Sequence, residues 1–177
     1  IKFDDIADYR DIETINMYRF LESTGGDLPR FMNGQKQTAR DNGRTPMQWN
    51  SSPNAGFSKA EPWLKINTDH RQCNVALQQE DENSVLSYFK KLMALRKKHK
   101  TLIYGDYQLL DAENTQVYAY SRKDDEGSFL ILLNFSKESA AFDVDVDWNS
   151  VSLLLANNDV FETGILKPYQ AGVFRMS

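Results

Sequence analysis

The sequence contains one cysteine and two histidines among its 177 residues. The single cysteine, Cys73, excludes an intramolecular disulfide, and together with His70 and His99 it does not form the ligand spacing of a zinc site. We therefore expect no metal and no cofactor. A chain without disulfides fits a reducing compartment, so we expect a cytoplasmic protein.

Long apolar runs and an excess of positive charge are also missing. No stretch reaches the roughly 20 apolar residues of a membrane-spanning helix, and the acidic start of the chain lacks the apolar run of a signal peptide. The formal net charge of -4 offers no basic stripe for a nucleic-acid backbone. We expect neither a membrane nor a nucleic acid as a partner.

The hydrophobic pattern of the first hundred residues predicts helices. Apolar residues recur there every three to four positions, which is the spacing of an amphipathic helix. The predicted helices run over Asp4–Leu21, Arg30–Thr38, Val75–Gln79 and Ser84–Lys98. We expect Asp4 or Asp5 to cap the first helix and Asp81 or Asn83 to cap the last.

Beyond about residue 103 the pattern changes to short strands separated by turns. The predicted strands are Tyr107–Leu110, Gln116–Ser121, Phe129–Phe135, Ala141–Val146, Val151–Leu155 and Gly172–Met176. Short strands without crossover helices are typical of an antiparallel sandwich. We therefore predict an α+β fold, with helices and loops in residues 1–103 and an all-β antiparallel sandwich in residues 104–177.

The stretch from Arg40 to Trp49 says most about function. Asp-Asn-Gly at residues 41–43 favours a turn, and Pro46 disfavours a helical residue before it, so an irregular loop is predicted. Loops that carry Arg and Trp often line binding sites, because a guanidinium offers a fork of donors and an indole offers a flat apolar face. Alternatively, Arg40 and Arg44 are buried ion-pair anchors and Trp49 fills the core. The residues alone leave both interpretations open.

The same stretch carries a family resemblance. The sequence Arg-Asp-Asn-Gly-Arg-Thr-Pro-Met-Gln-Trp at 40–49, followed by Asn-Ala-Gly-Phe at 54–57, closely resembles the segment after the last barrel strand in the oligo-1,6-glucosidase and α-glucosidase branch of glycoside hydrolase family 13, the α-amylase superfamily. Residues 8–14 and 88–96 are similar to the last helices of that family's barrel, and residues 134–136 and 166–169 to its C-terminal sandwich. The resemblance implies that residues 1–103 are a helical C-terminal remnant of a (β/α)8 barrel.

The resemblance also implies a function for the protein. It implies a retaining α-glucosidase that hydrolyses α-1,6 or α-1,4 bonds of short oligosaccharides from the non-reducing end. The family's catalytic nucleophile, acid/base and second Asp map onto none of these residues, so we expect no catalytic residue here and an inactive chain. Arg40 is the first choice and Arg44 the second for binding the substrate's terminal glucose.

Other interpretations stay open beside that one. The protein could be a non-catalytic relative that acts as an interaction protein, or a sugar-binding module with Trp148, Tyr107 and Tyr169 as a stacking platform. Asp8, Asp11 and Glu13 are interpreted as a solvated helix face rather than as a catalytic set. Helices shaped to cover a barrel would expose apolar stripes, so we expect self-association of this chain.

Overall fold

The computed structural model describes residues 3–158 and 160–177. The chain forms two compact units, the first ending at Glu82 and the second beginning at Asn83. The predicted boundary between residues 103 and 104 separates the barrel remnant from the sandwich domain, not two compact units. That boundary stays a prediction.

The first helix of the first unit begins later than predicted. Residues Ile6–Asp8 form a 3-10 turn, capped by the Asp5 carboxylate, which accepts the Ala7 N–H at 2.9 Å. The chain is then extended, and helix α1 runs over Ile12–Thr24. The predicted continuous helix is wrong because the N–H groups of Arg10 and Asp11 donate to a side chain of a later loop instead of to a preceding helical turn.

Two more α-helices lie in the first unit. Helix α2 runs over Leu28–Thr38, with Asp27 as its cap, and helix α3 runs over Val75–Glu80, with Asn74 as its cap. Both lie close to their predicted positions. The core of this unit is small and consists of the buried residues Phe3, Tyr9, Ala39 and Leu64.

The second unit opens with helix α4, Val85–Lys98, and the short helix α5, Thr101–Tyr104. The α4 cap is Ser84, whose hydroxyl accepts the Ser87 N–H at 3.1 Å. The predicted caps, Asp81 and Asn83, are therefore wrong. A serine hydroxyl reaches the free N–H groups of the first turn as well as a carboxylate does.

The second unit contains a five-stranded antiparallel sheet, whose strands are β1 Asp106–Leu110, β2 Val117–Asp124, β3 Gly127–Asn134, β5 Val151–Ala156 and β7 Ala171–Met176. The strand order in this sheet is β1-β2-β3-β7-β5. A small second sheet pairs β4, Ala140–Ala141, with β6, Ile165–Leu166.

Both faces of the large sheet are covered. On one face Phe129, Ile131 and Val173 pack against leucines of α4 and α5. On the other face Leu130, Leu132 and Phe174 pack against residues of the small sheet. This second interface joins two sheets across an apolar core, which is the sandwich that the strand pattern predicted.

The predicted strand over 141–146 is wrong beyond Ala141. Its alternation is real, because Phe142 is buried and Val144 packs on the core. However, the Phe142 N–H donates to the Gly164 carbonyl at 3.0 Å, and the Asp143 N–H donates to the Asp111 carboxylate at 3.1 Å. Loop groups therefore replace a neighbouring strand.

In the part of the chain that the structure describes, no helix is long and apolar enough to cross a membrane.

Candidate functional site

The loop that carries the two candidate arginines lies in the first unit. We call residues 40–49 the arginine loop. It begins with a 3-10 turn over Arg40–Gly43, directly after α2 and the buried Ala39. The Arg44 N–H closes the turn by donating to the Asp41 carbonyl at 3.0 Å. The predicted irregular loop is thus correct, with a short turn at its start.

A buried carboxylate anchors this turn. Asp41 is 0% exposed, and its Oδ2 accepts the N–H of Arg10 at 2.7 Å and that of Asp11 at 2.9 Å. Two N–H groups before α1, which have no helical acceptor, are thereby satisfied by a residue about thirty positions later. The sequence signal at Asp41 predicts a turn and does not predict this burial. The one sequence feature that could have indicated this anchoring role is the acidic side chain within the turn.

The two arginines have different surroundings. Arg40 Nη2 lies 2.9 Å from Glu13 Oε2, and the two side chains are 62% and 69% exposed. Arg44 is also exposed, and among the described residues its guanidinium has no hydrogen bond or ion pair. Neither arginine is a buried anchor, so that interpretation is wrong. Arg44 is the one without an ion pair among the described residues.

The end of the arginine loop is tied to α3. The main-chain carbonyls of Gln48 and Trp49 accept the N–H groups of Val75 and Ala76, at 2.9 and 3.0 Å, in the first turn of that helix. The Trp49 side chain is 49% exposed, so it does not fill the core. The loop is therefore fixed at both ends while its tryptophan remains accessible.

A left-handed turn supports the same end of the loop. Asn54, Ala55 and Gly56 have φ values of 53°, 54° and 68°. The Ala55 carbonyl accepts the N–H groups of Trp49 and Asn50 at 2.9 and 3.1 Å. Left-handed backbone costs an L-residue other than glycine roughly 1–2 kcal/mol, and such strain persists only where the surroundings enforce it.

A cleft of about 290 Å³ lies beside Arg40, between α1 and α2. Asp11 is only 4% exposed there, and its Oδ2 lies 3.0 Å from the Thr14 hydroxyl. Asp8 is paired with Lys65 at 2.6 Å, while Glu13 is paired with Arg40. The interpretation of the three acids as one solvated face is therefore wrong for Asp11, which is buried.

The aromatic platform suggested for the strand-rich part is wrong in one member. Trp148 packs in the core, with ring centroids 5.8 Å from Phe161 and 6.0 Å from Phe174. Tyr107 is 46% exposed, and its hydroxyl lies 3.0 Å from that of Tyr118. This hydrogen bond raises the pKa of Tyr107 above its ordinary value.

Comparison with known protein families gives two matches along the chain. Residues 10–105 match the catalytic domain of α-amylase, and residues 107–169 match the C-terminal domain of maltogenic amylase. The chain belongs to the α-amylase family, glycoside hydrolase family 13. This confirms the resemblance carried by the arginine loop, and with it the fold class of a barrel remnant followed by a β-sheet domain.

Several relatives of this family 13 chain are named as glycoside hydrolases. It is 37% identical to the oligo-1,6-glucosidase of Bacillus cereus over 99% of its own length, and 41% identical to a probable oligo-1,6-glucosidase of Bacillus subtilis over 97%. A solved structure, the trehalose-6-phosphate hydrolase of Bacillus licheniformis, superposes with a TM-score of 0.93 at 34% identity over 99% of the chain. The chain spans about a third of these relatives' length, 33% and 32% for the two glucosidases and 33% for the hydrolase.

Proposed function

We propose that this chain serves in an α-glucosidase that hydrolyses α-1,6 or α-1,4 bonds of short oligosaccharides from the non-reducing end, with retention of configuration. The observation that carries the proposal is the match of nearly the whole chain to oligo-1,6-glucosidases, 99% of it in the Bacillus cereus enzyme. The relatives also include an α-glucosidase of Candida albicans and a glucan 1,6-α-glucosidase of Streptococcus pneumoniae. The α-1,4 bond stays in the proposal because the family resemblance implies both linkages.

The arginine loop is the part of the chain to which we assign substrate binding. A guanidinium can bridge a carboxylate and vicinal sugar hydroxyls at once, because its donors form a planar fork. Arg44 has this fork available, whereas Arg40 already donates to Glu13. We therefore assign the terminal glucose to Arg44 first and to Arg40 second, the reverse of the order taken from the resemblance.

We assign the bond-breaking step to carboxyl groups outside this chain. A retaining glycosidase needs two of them about 5 Å apart, one as nucleophile and one as acid/base. In the first unit, Asp8 and Glu13 are paired with cations, and Asp11 lies beside the Thr14 hydroxyl. This supports the proposal that the chain alone is inactive and supplies one wall of the sugar pocket together with a stabilising domain.

Kinetics of the whole protein test the proposal. Wild type is assayed on isomaltose and maltose, beside Arg44→Ala, Arg40→Ala and the matched control Arg19→Ala, which removes an exposed arginine of α1. We expect kcat/KM to fall at least tenfold for Arg44→Ala, less for Arg40→Ala and not at all for Arg19→Ala. A wild-type protein that hydrolyses neither sugar would support the alternative of a non-catalytic relative that binds sugar or a protein partner.

A further inference from the structure

The indole of Trp49 is accessible although the backbone beneath it is held from two sides. The Trp49 N–H donates to the Ala55 carbonyl at 2.9 Å, and the Trp49 carbonyl accepts the Ala76 N–H at 3.0 Å. Both main-chain polar groups of this residue are therefore satisfied within the first unit, yet its side chain is 49% exposed. Tryptophan is highly buried on average. An exposed indole on an anchored backbone is a preformed flat apolar surface.

The turn that accepts the Trp49 N–H has an unfavourable backbone conformation. Asn54 and Ala55 have the positive φ values that L-residues rarely adopt. Gly56 continues the turn, and a Cβ added there would lie 2.6 Å from the Asn50 Nδ2. Backbone strain persists only where the surrounding structure enforces it, and it is concentrated at active sites and ligand clamps. The strain therefore favours a functional surface above the turn.

The exposed Arg44 lies on the same segment, five residues before Trp49. Five residues span at most about 17 Å when fully extended, so the guanidinium and the indole lie within the length of one short oligosaccharide. The C–H face of a glucose ring packs on an aromatic ring, and its hydroxyls accept hydrogen bonds from a guanidinium. The two side chains therefore offer complementary contacts to neighbouring sugar rings.

From this arrangement we infer that Trp49 is the stacking platform for the second sugar ring of the substrate, the glucosyl unit next to the terminal glucose at Arg44. The identity of the ligand rests on the proposed function. Arg44 binds hydroxyls and orients the terminal ring, whereas Trp49 adds an apolar contact that only a ligand with a second ring can use. Free glucose gains nothing from the platform, so Trp49 favours oligosaccharides over the monosaccharide product.

Trp49→Ala in the whole protein removes the platform, and Trp49→Phe keeps an aromatic face. Trp63→Ala removes another indole of the first unit, 57% exposed, and is the matched control. We expect KM for isomaltose to rise roughly fivefold in Trp49→Ala, the effect of about one aromatic contact, to rise less in Trp49→Phe and to stay unchanged in Trp63→Ala.

Inhibition by glucose separates stacking from a merely structural role. Glucose occupies only the terminal site, so its inhibition constant should be the same in wild type and in Trp49→Ala. A structural role would weaken glucose and isomaltose by the same factor, and that result would overturn the inference. An unchanged KM for isomaltose in Trp49→Ala would overturn it as well.

Binding measured without turnover distinguishes failure of the platform from failure of the proposed function. The probe is an isomaltose analogue with sulfur in place of the glycosidic oxygen, which resists hydrolysis, titrated into the whole protein by calorimetry. An inactive wild type that binds this analogue more tightly than Trp49→Ala does would remove the proposed function and keep the platform. An active wild type that binds it no more tightly than Trp49→Ala does would keep the function and overturn the platform.

A crystal structure of the whole wild-type protein with the same analogue covers a variant that does not fold. The Trp49 indole should lie against the second ring of the analogue. An indole covered by another part of the protein, or one that contacts no sugar, would overturn the inference.

Discussion

The Arg40 guanidinium and the Glu13 carboxylate, 2.9 Å apart, join the arginine loop to the first turn of α1. Both side chains are more than 60% exposed, so water screens their attraction. An exposed ion pair contributes about 0–1 kcal/mol to stability. We therefore expect Arg40→Ala to change the free energy of unfolding by less than about 1 kcal/mol, measured by urea denaturation. Glu13→Gln should give an equally small change, and a loss several times larger would show that the pair holds the loop in place.

The side chain of Asn134 should be far more important for stability. It is 4% exposed, its Nδ2 donates to the carbonyls of Glu138 and Lys167 at 2.8 Å each, and its Oδ1 accepts the Ser136 N–H at 2.8 Å. Asn134→Asp would place a carboxylate oxygen against two carbonyl oxygens. We expect a loss of about 3 kcal/mol or more in unfolding free energy, because a buried group without its partner costs about 1–3 kcal/mol and a charged one costs more. Gln108→Glu adds the same charge on the exposed side of β1 and should be nearly neutral.

The stability of the second unit should depend on the protonation of His99. Its ring centroid lies 5.1 Å from that of Phe129, and burial, with Lys98 and Arg175 nearby, lowers its pKa from the ordinary 6.5. The unfolded chain therefore binds more protons than the folded chain at mildly acid pH. The His99 contribution is fully present above the unfolded pKa and is lost as pH falls through 6.5 towards the lower folded pKa.

Urea unfolding at a series of pH values from 7.5 downwards, each step about half a unit, checks this expectation. We expect the unfolding free energy to fall with pH in wild type and to fall less steeply in His99→Gln. Gln108→Ala, an exposed change that removes no titratable group, is the control and should keep the wild-type slope. Equal slopes for wild type and His99→Gln would contradict the prediction.

The exposed apolar face of α1 predicts self-association of this 177-residue chain. Ile12, Met17 and Phe20 are 62%, 47% and 59% exposed. Exposed apolar side chains favour association in water. Sedimentation velocity should show a mean mass that rises with concentration, and Phe20→Ser should lower that rise more than Asn16→Ser does. A monomer at every concentration would contradict the prediction.

Local signals predicted most elements of the fold. The apolar pattern placed α2, α3 and α4 to within a few residues, and short runs between turn signals placed β1, β2, β3, β5 and β7. The errors arise where a distant group intervenes. Asp41, about thirty residues away, takes the amides that would have extended α1, and Asp111 takes the Asp143 amide that would have extended β4.

The candidate site also combines features that local signals predict with features that depend on distant residues. The arginine loop was recognised from consecutive residues, because its turn and proline signals are local. The pairing of Arg40 with Glu13 and the burial of Asp41 depend on how α1 lies against the loop. No periodicity within the loop contains that information, so neither the ion pair nor the burial could be read from the sequence.

The left-handed turn at Asn54, Ala55 and Gly56 has a consequence for the chirality of the amino acid that fits there best. Three consecutive positive φ values form a short segment of mirror-image helix, a conformation that D-residues prefer. A D-alanine introduced at position 55 by chemical ligation would hold the same backbone without strain, whereas L-valine there would clash with its own main chain. At the turn that supports Trp49, an L-residue thus adopts a backbone conformation that a D-residue would prefer. The small side chain of Ala55 keeps the steric cost of that conformation low.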